Sequence, residues 1–187
     1  MSRLGVAMDA RLREDLARRA TDIHVNAGDK IQNQARVAQT WVFLSDGIAA
    51  SEQGWADGST TIARFFEAGS FCANVTSVWT GDIAADDLVA VTEVRGLALP
   101  DAYFREEYLH GGALGAYLRL KMIEAHLFAK ELVCAKTSGR TAVRYRFLET
   151  HHRAVIGSVP QKDIARFLGI TPQGLSRFLR REKMSPD

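Results

Sequence analysis

Along the 187 residues, the spacing of apolar positions changes from helical to strand-like and back again. Between Asp9 and Ala20, Leu12, Leu16 and Ala20 recur every four residues among charges, which predicts a short amphipathic helix. From Asp22 to about Leu99 the apolar runs are short or alternating and are cut by Gly, Asp and Asn, so they predict strands. Their turn signals, Ala27-Gly28-Asp29, Ser45-Asp46-Gly47, Asp57-Gly58 and Ala68-Gly69-Ser70, recur at the spacing of an antiparallel jelly roll or barrel, a closed form that hides strand edges.

Pro100 and Asp101 end the strand region, and helical spacing returns from about Ala102 to Leu132, interrupted only by Gly111, Gly112 and Gly115. Phe104, Tyr108, Gly111, Gly115, Leu118, Met122, Ala125, Ala129 and Leu132 alternate at spacings of four and three, the repeat of a coiled-coil seam. A second stripe, Ala113, Ala116, Leu120, Ile123 and Leu127, lies on another side of the same helix. We assign the first stripe to a two-fold dimer and the second to packing on the barrel. Gly111 and Gly115 fit either a close approach of two backbones or a kink, each glycine costing about 1 kcal/mol relative to alanine in a helix.

Lys136-Thr137-Ser138-Gly139 is the best hinge candidate. A further helix, Thr141 to about His151, should turn Val143, Phe147 and Leu148 inward and Arg140, Arg144 and Arg146 outward. Gln161 to Arg181 then reads as two short helices joined by a turn. Ile164, Ala165 and Leu168 share one face of the first helix, Gly169 breaks it, and Leu175, Phe178 and Leu179 form the matching face of the second. Thr171 is a good N-cap and Pro172 suits the first helical position, where a missing N–H costs nothing. That start projects Gln173 and Arg177 outward. In a helix-turn-helix these positions meet base edges, and Gln and Arg are the side chains that suit adenine and guanine. The predicted DNA-binding set is Thr171, Gln173, Gly174, Ser176, Arg177, Arg180, Arg181 and Lys183. The chain thus divides into an N-terminal helix and sensor barrel (1–100), a dimerisation helix (101–133) and a DNA-binding domain (134–187), an α+β protein.

Composition adds one asymmetry to this picture. With 47% apolar and 25% charged residues the chain is ordinary for a globular protein, but its net charge of +2 is unevenly spread. Residues 1–129 hold 12 Lys and Arg against 17 Asp and Glu, and residues 130–187 hold 12 against 5, so the segment with the helix-turn-helix is the basic one. No long apolar run or signal-peptide core is present, and the expected location is cytoplasmic with no membrane contact. Cys72 and Cys134 read as buried small hydrophobes, too few for an iron–sulfur cluster held by four cysteines. His24, His110 and His126 are more readily surface or core residues than haem ligands, and His151 and His152 are adjacent, so no metal site is expected. No nucleophile elbow, P-loop or dinucleotide fingerprint occurs, and no enzyme is expected.

The order of elements and a set of residues resemble the CRP/FNR family of bacterial transcription regulators. The residues are Gly28-Asp29, Trp41 to Gly47, Asp57-Gly58, Phe65 with Ala68 to Phe71, and above all Ile164 to Pro172 with Leu175-Ser176-Arg177. The resemblance implies a cyclic-nucleotide-binding-like jelly roll, a dimer helix and a C-terminal helix-turn-helix, with Gln173 and Arg177 at base-reading positions. Gln173 stands where many relatives carry Glu, so the preferred half-site should differ. Two departures limit what the family implies. The Glu and Arg that hold a cyclic nucleotide after the glycine matching Gly69 are missing, and no Lys or Arg lies between Arg64 and Arg95, so cAMP is not expected. Gly157 to Val159 is also too short for a β-hairpin wing. Phe71, Cys72, Val78 and Trp79 fall where relatives line an effector pocket, although aromatic residues in a barrel are as readily plain core. The partners this reading admits are double-stranded DNA, a second copy of the chain, RNA polymerase and a small-molecule effector. The alternative is a ligand-binding or protein-interaction signalling module whose degenerate helix-turn-helix makes another contact.

Overall fold

The structure, a computed structural model, describes residues 10–184; the side chains of Leu12, Arg13, Asp15, Lys183 and Met184 lie outside the described ones. Helix α1 (Ala10–Arg19) precedes strands β1 (Thr21–Val25), β2 (Lys30–Gln32), β3 (Thr40–Asp46), β4 (Ile48–Gly54), β5 (Thr60–Glu67) and β6 (Phe71–Cys72). Helix α2 (Val75–Thr80) leads to β7 (Asp87–Ala90) and β8 (Val94–Pro100). The strands form two antiparallel sheets of four, ordered β1-β8-β3-β6 and β2-β7-β4-β5, which is the topology of a jelly roll. Strand alternation sends Val42 and Leu44 from one sheet and Ala49, Phe66, Leu88 and Ala90 from the other into the space between them.

A bulge in β5 decides what the second sheet shows to the outside. Ser51 pairs with Arg64 but Glu52 with Ile62, so Ala63 is an extra residue and the alternation reverses there. Ile62 and Phe65, three apart, therefore share one face with Ile48 and Ala50 of β4 and join the same buried cluster. Arg64 and Phe66 take the opposite side of the strand.

The long helix expected after the roll is two helices, α3 (Asp101–His110) and α4 (Ala113–Thr137). The break lies at Gly111 and Gly112, where Gly111 is extended. The close approach that glycine permits is within the chain: a Cβ on Gly115 would collide with the carbonyl oxygen of Glu107 in the last turn of α3. This corrects the predicted dimer seam. Phe104 is buried and stacks on Trp41 of β3 with ring centres 4.0 Å apart, and Leu118 is buried in the same cluster as Leu16 of α1 and Leu99 of β8. Tyr108 lies edge-on to Trp79, and Met122 packs against that cluster. The front of the stripe expected to meet a partner, from Phe104 to Met122, thus covers the outer face of the first sheet, Leu132 joins the core under the terminal helices, and Ala125 and Ala129 are half-buried. The stripe expected to cover the roll faces outward, with Ile123 50% and Leu127 42% exposed. The physical reason is size: Trp41, Phe43 and Phe71 on the sheet need large side chains over them, and Phe104, Tyr108, Leu118 and Met122 supply these where Ala113 and Ala116 could not.

Helices α5 (Thr141–His151), α6 (Arg153–Ser158), α7 (Gln161–Leu168) and α8 (Pro172–Met184) complete the described chain. A helix, α6, occupies the place of a wing. Phe147, Leu148, Val155, Ile164, Phe167, Leu168 and Leu175 form one core that is continuous with Ile48, Ala50, Ile62 and Phe65, so this helical domain sits on the outer face of the second sheet. Two orientations differ from expectation. Val143 is 39% exposed, and Arg144 is partly buried beside Gly169. The hinge candidate is also tied down, because Lys136 Nζ donates to the carbonyls of Ile62 (2.8 Å) and Phe167 (3.2 Å).

Candidate nucleic-acid interface and cavity

The α7–α8 pair is built by local chemistry. Gly169 takes a left-handed conformation (φ 65°) that ends α7, and the N–H of Ile170 returns to the carbonyl of Ala165 at 3.1 Å. Thr171 Oγ1 then accepts the N–H of Gly174 at 3.0 Å, the capping bond its residue type predicts. Leu175 is fully buried, and Phe178 meets Tyr145 edge-on at 5.3 Å. These contacts fix the roll of α8 about its axis. The opposite side carries Gln173, Ser176, Arg177, Arg180 and Arg181, all exposed, with Thr171 exposed at the start and Gly174 half-buried. Gln173 and Arg177 stand one turn apart on the same face. Among the described residues none of Arg177, Arg180 and Arg181 is engaged in an ion pair, so their charge is available to phosphates or bases. The structure therefore brings the predicted DNA-binding residues together, apart from Lys183, whose side chain is outside the described ones.

A cavity of about 1020 Å³ lies between the first sheet, the end of β5 and α4. Phe71 lines it, as do Phe43, Tyr117, Met122 and Phe128. The other three predicted pocket residues do not. Cys72 follows Phe71 in the strand and so points the other way, into the space between the sheets, where burial pushes its thiol up to about 12. Val78 is buried on α2, and Trp79 lies under the guanidinium of Arg105, 4.2 Å from the ring centre. Of the two cysteines expected to be buried, Cys134 is exposed.

The charges at this cavity escaped the sequence reading. Arg64 stands over the rings of Phe66 (4.7 Å) and Phe128 (4.6 Å), its Nε is buried without a hydrogen-bond acceptor, and burial lowers its pKa to about 10. Lys121 Nζ is 2.9 Å from Glu124, and Glu67 is 3.5 Å from His152 Nδ1. The signal that could have revealed Arg64 is the bulge, since without it Arg64 would fall on the face of Ile62. His24 pairs with Glu93 at 2.8 Å on the surface, and His110 and His126 are exposed. Among the described residues no cluster of three or more His, Cys, Asp or Glu is placed to hold a metal ion.

No protein-family model matches the sequence, and no curated protein is significantly similar to it. Solved structures do match over almost the whole length. FixK2 from Bradyrhizobium japonicum is 16% identical, with a TM-score of 0.72 over 88% of this chain and 85% of FixK2. The c-di-GMP-responsive global regulator CLP of Xanthomonas campestris is 14% identical, with a TM-score of 0.66 over 94% of this chain and 92% of CLP. A protein of Eubacterium rectale described as a transcriptional regulator of the CRP/FNR family is 13% identical, with a TM-score of 0.65 over 94% of this chain and 84% of the other. The fold is that of the CRP/FNR regulators. The CRP/FNR-like arrangement of roll, connecting helix and terminal helical domain thus accounts for nearly every described residue. Among those residues no helix is long and apolar enough to cross a membrane.

Proposed function

We propose that this protein is a homodimeric, sequence-specific DNA-binding transcription regulator of CRP/FNR type, located in the cytoplasm and without enzymatic activity. The observation that carries the reading is the pair Gln173 and Arg177, exposed one turn apart at the capped start of a helix whose other face is locked by Leu175. Such a helix start enters the major groove with its first residues against base edges, while Arg180, Arg181 and Lys183 supply phosphate contacts. Dimerisation through Ala116, Leu120, Ile123 and Leu127 is supported by the exposure of Ala116, Ile123 and Leu127, by the half-buried Leu120 between them, and by their alternating spacings of four and three. RNA polymerase is the further partner of such a regulator, and the cavity beside α4 is the place for an effector. Cyclic nucleotides are not expected as that effector, because residues 70–87, where the family resemblance places the phosphate-binding Arg, contain no Lys or Arg; the cation at the cavity is Arg64 instead. Selection of genomic fragments by the purified protein tests the reading. A regulator recovers a common, two-fold-related motif, and its affinity falls steeply with added salt. A protein that retains no duplex above background, with or without ligand, is not one.

A further inference from the structure

Among the described residues Arg64, at the cavity between roll and α4, has no carboxylate beside it. Lys121 is neutralised by Glu124 at 2.9 Å, and Glu67 stands 3.5 Å from His152, an ion pair only when that imidazole is protonated. Arg64 has instead the faces of Phe66 and Phe128, at 4.7 and 4.6 Å, and an Nε without an acceptor. Two aromatic faces hold a guanidinium in place by cation–π attraction but leave its edge N–H groups unsatisfied. A buried charge without a counter-charge is costly, and a ligand that supplies one relieves that cost when it binds.

From this geometry we propose that the cavity takes an apolar monocarboxylate, with its carboxylate on Arg64 and its hydrocarbon or aryl body against Phe43, Phe71, Tyr117 and Met122. The contacts of Arg64 set the head group. Its guanidinium lacks an adjoining carboxylate, so one carboxylate completes it, whereas a phosphate monoester dianion would bring a second negative charge near Glu67 and Glu124. The planar fork of a guanidinium also matches a carboxylate with two parallel hydrogen bonds. The apolar part of the lining, Phe43, Phe71 and Met122 with the ring of Tyr117, sets the tail, and about 1020 Å³ is ample for a ligand of drug-like size. The inference rests on reading this protein as an effector-responsive regulator and names the class of its effector.

Calorimetric titration of the full-length protein with benzoate, phenylacetate, cinnamate, octanoate and decanoate, each beside its primary amide, tests the proposal. At least one acid should bind saturably and about tenfold or more tighter than its amide, which has nearly the same shape without the charge. Arg64→Gln should remove that preference while leaving the weaker binding of the amide. Arg64→Lys, which keeps the charge but not the fork, should fall between the two. Should Arg64→Gln fail to fold, the acid-to-amide ratio in the wild type decides alone. Saturable binding by none of the acids, equal affinity for acid and amide, an unchanged preference in Arg64→Gln, or tighter binding of cAMP through Arg64 would each overturn it. Duplex binding measured without ligand separates the two readings. A protein that binds acid but no duplex keeps this site and loses the regulator function, and one that binds duplex but no acid does the reverse.

Discussion

The guanidinium of Arg166 stands 2.8 Å from the carboxylate of Glu52, joining the first helix of the helix-turn-helix to the outer face of the roll. The same side chain donates to Asp163 at 2.9 Å and to Thr60 Oγ1. Both partners of the ion pair are partly buried, so water screens it less than a surface pair. It holds the terminal helical domain against β4 and β5.

The first prediction follows from that pair. Glu52→Gln and Arg166→Gln should each destabilise the protein by about 1 kcal/mol, which is about 2–4 °C in melting temperature for a chain of this size. The double variant should lose less than the sum, because one interaction is removed in all three cases. Additive losses would show that the two side chains are neighbours without coupling.

Base reading gives the second. Arg177→Ala should weaken binding to the selected motif by about 1–3 kcal/mol and relax the preference at one base pair of each half-site. Lys183→Ala should weaken specific and random duplexes alike. Competition with random DNA measures both, and an equal loss on the two substrates for Arg177→Ala removes Arg177 from the base-reading role.

Assembly gives the third, and it separates the two stripes of α4. Ile123→Glu combined with Leu127→Lys places charge on exposed positions and should yield a folded monomer in sedimentation. Leu118→Glu places charge in the core shared with Trp41 and Phe104 and should unfold the roll, since truncation of such a residue alone costs about 2–5 kcal/mol. A folded monomer from Leu118→Glu would restore the first stripe as the interface.

The fourth concerns Lys136, whose pKa is lowered to about 8, first by burial and then by the nearby charge of Arg144. Unfolding returns it towards the ordinary value of 10.5. Between these two values the unfolded chain holds a proton that the folded one has released, so this group makes stability rise with pH across that window. Below about pH 8 both states are protonated and the full penalty is present. Thermal melts of wild type and Lys136→Met at several pH values from 7 to 10 should show the wild type gaining on the variant above about pH 8. A constant difference would mean that Lys136 stays charged in the folded protein.

The helix-turn-helix was legible because its determinants are local. Gly169, Thr171 and Pro172 set the turn within four residues, and Leu175 and Phe178 orient the helix that follows. The roll was legible through its turn residues. The faces of α4 were not, because a heptad stripe states that one side is apolar and leaves unsaid whether a sheet or another helix covers it. Whether its glycines mark a kink or a close approach was open in the sequence; both occur, a break at Gly111 and Gly112 and a close approach of Gly115 to Glu107. The pocket residues failed on parity: Phe71 and Cys72 are adjacent in a strand, so one can line the cavity and the other cannot. Arg64 failed for a related reason, an extra residue at position 63 that is recognisable only from the pairing of β5 with β4.

That extra residue puts two environments on one peptide unit. Arg64 and Phe65 are adjacent, yet Arg64 reaches towards Phe128 at the cavity and Phe65 lies 5.4 Å from Phe167 of α7. At this point the wall between the cavity and the core of the terminal helical domain is a single strand thick.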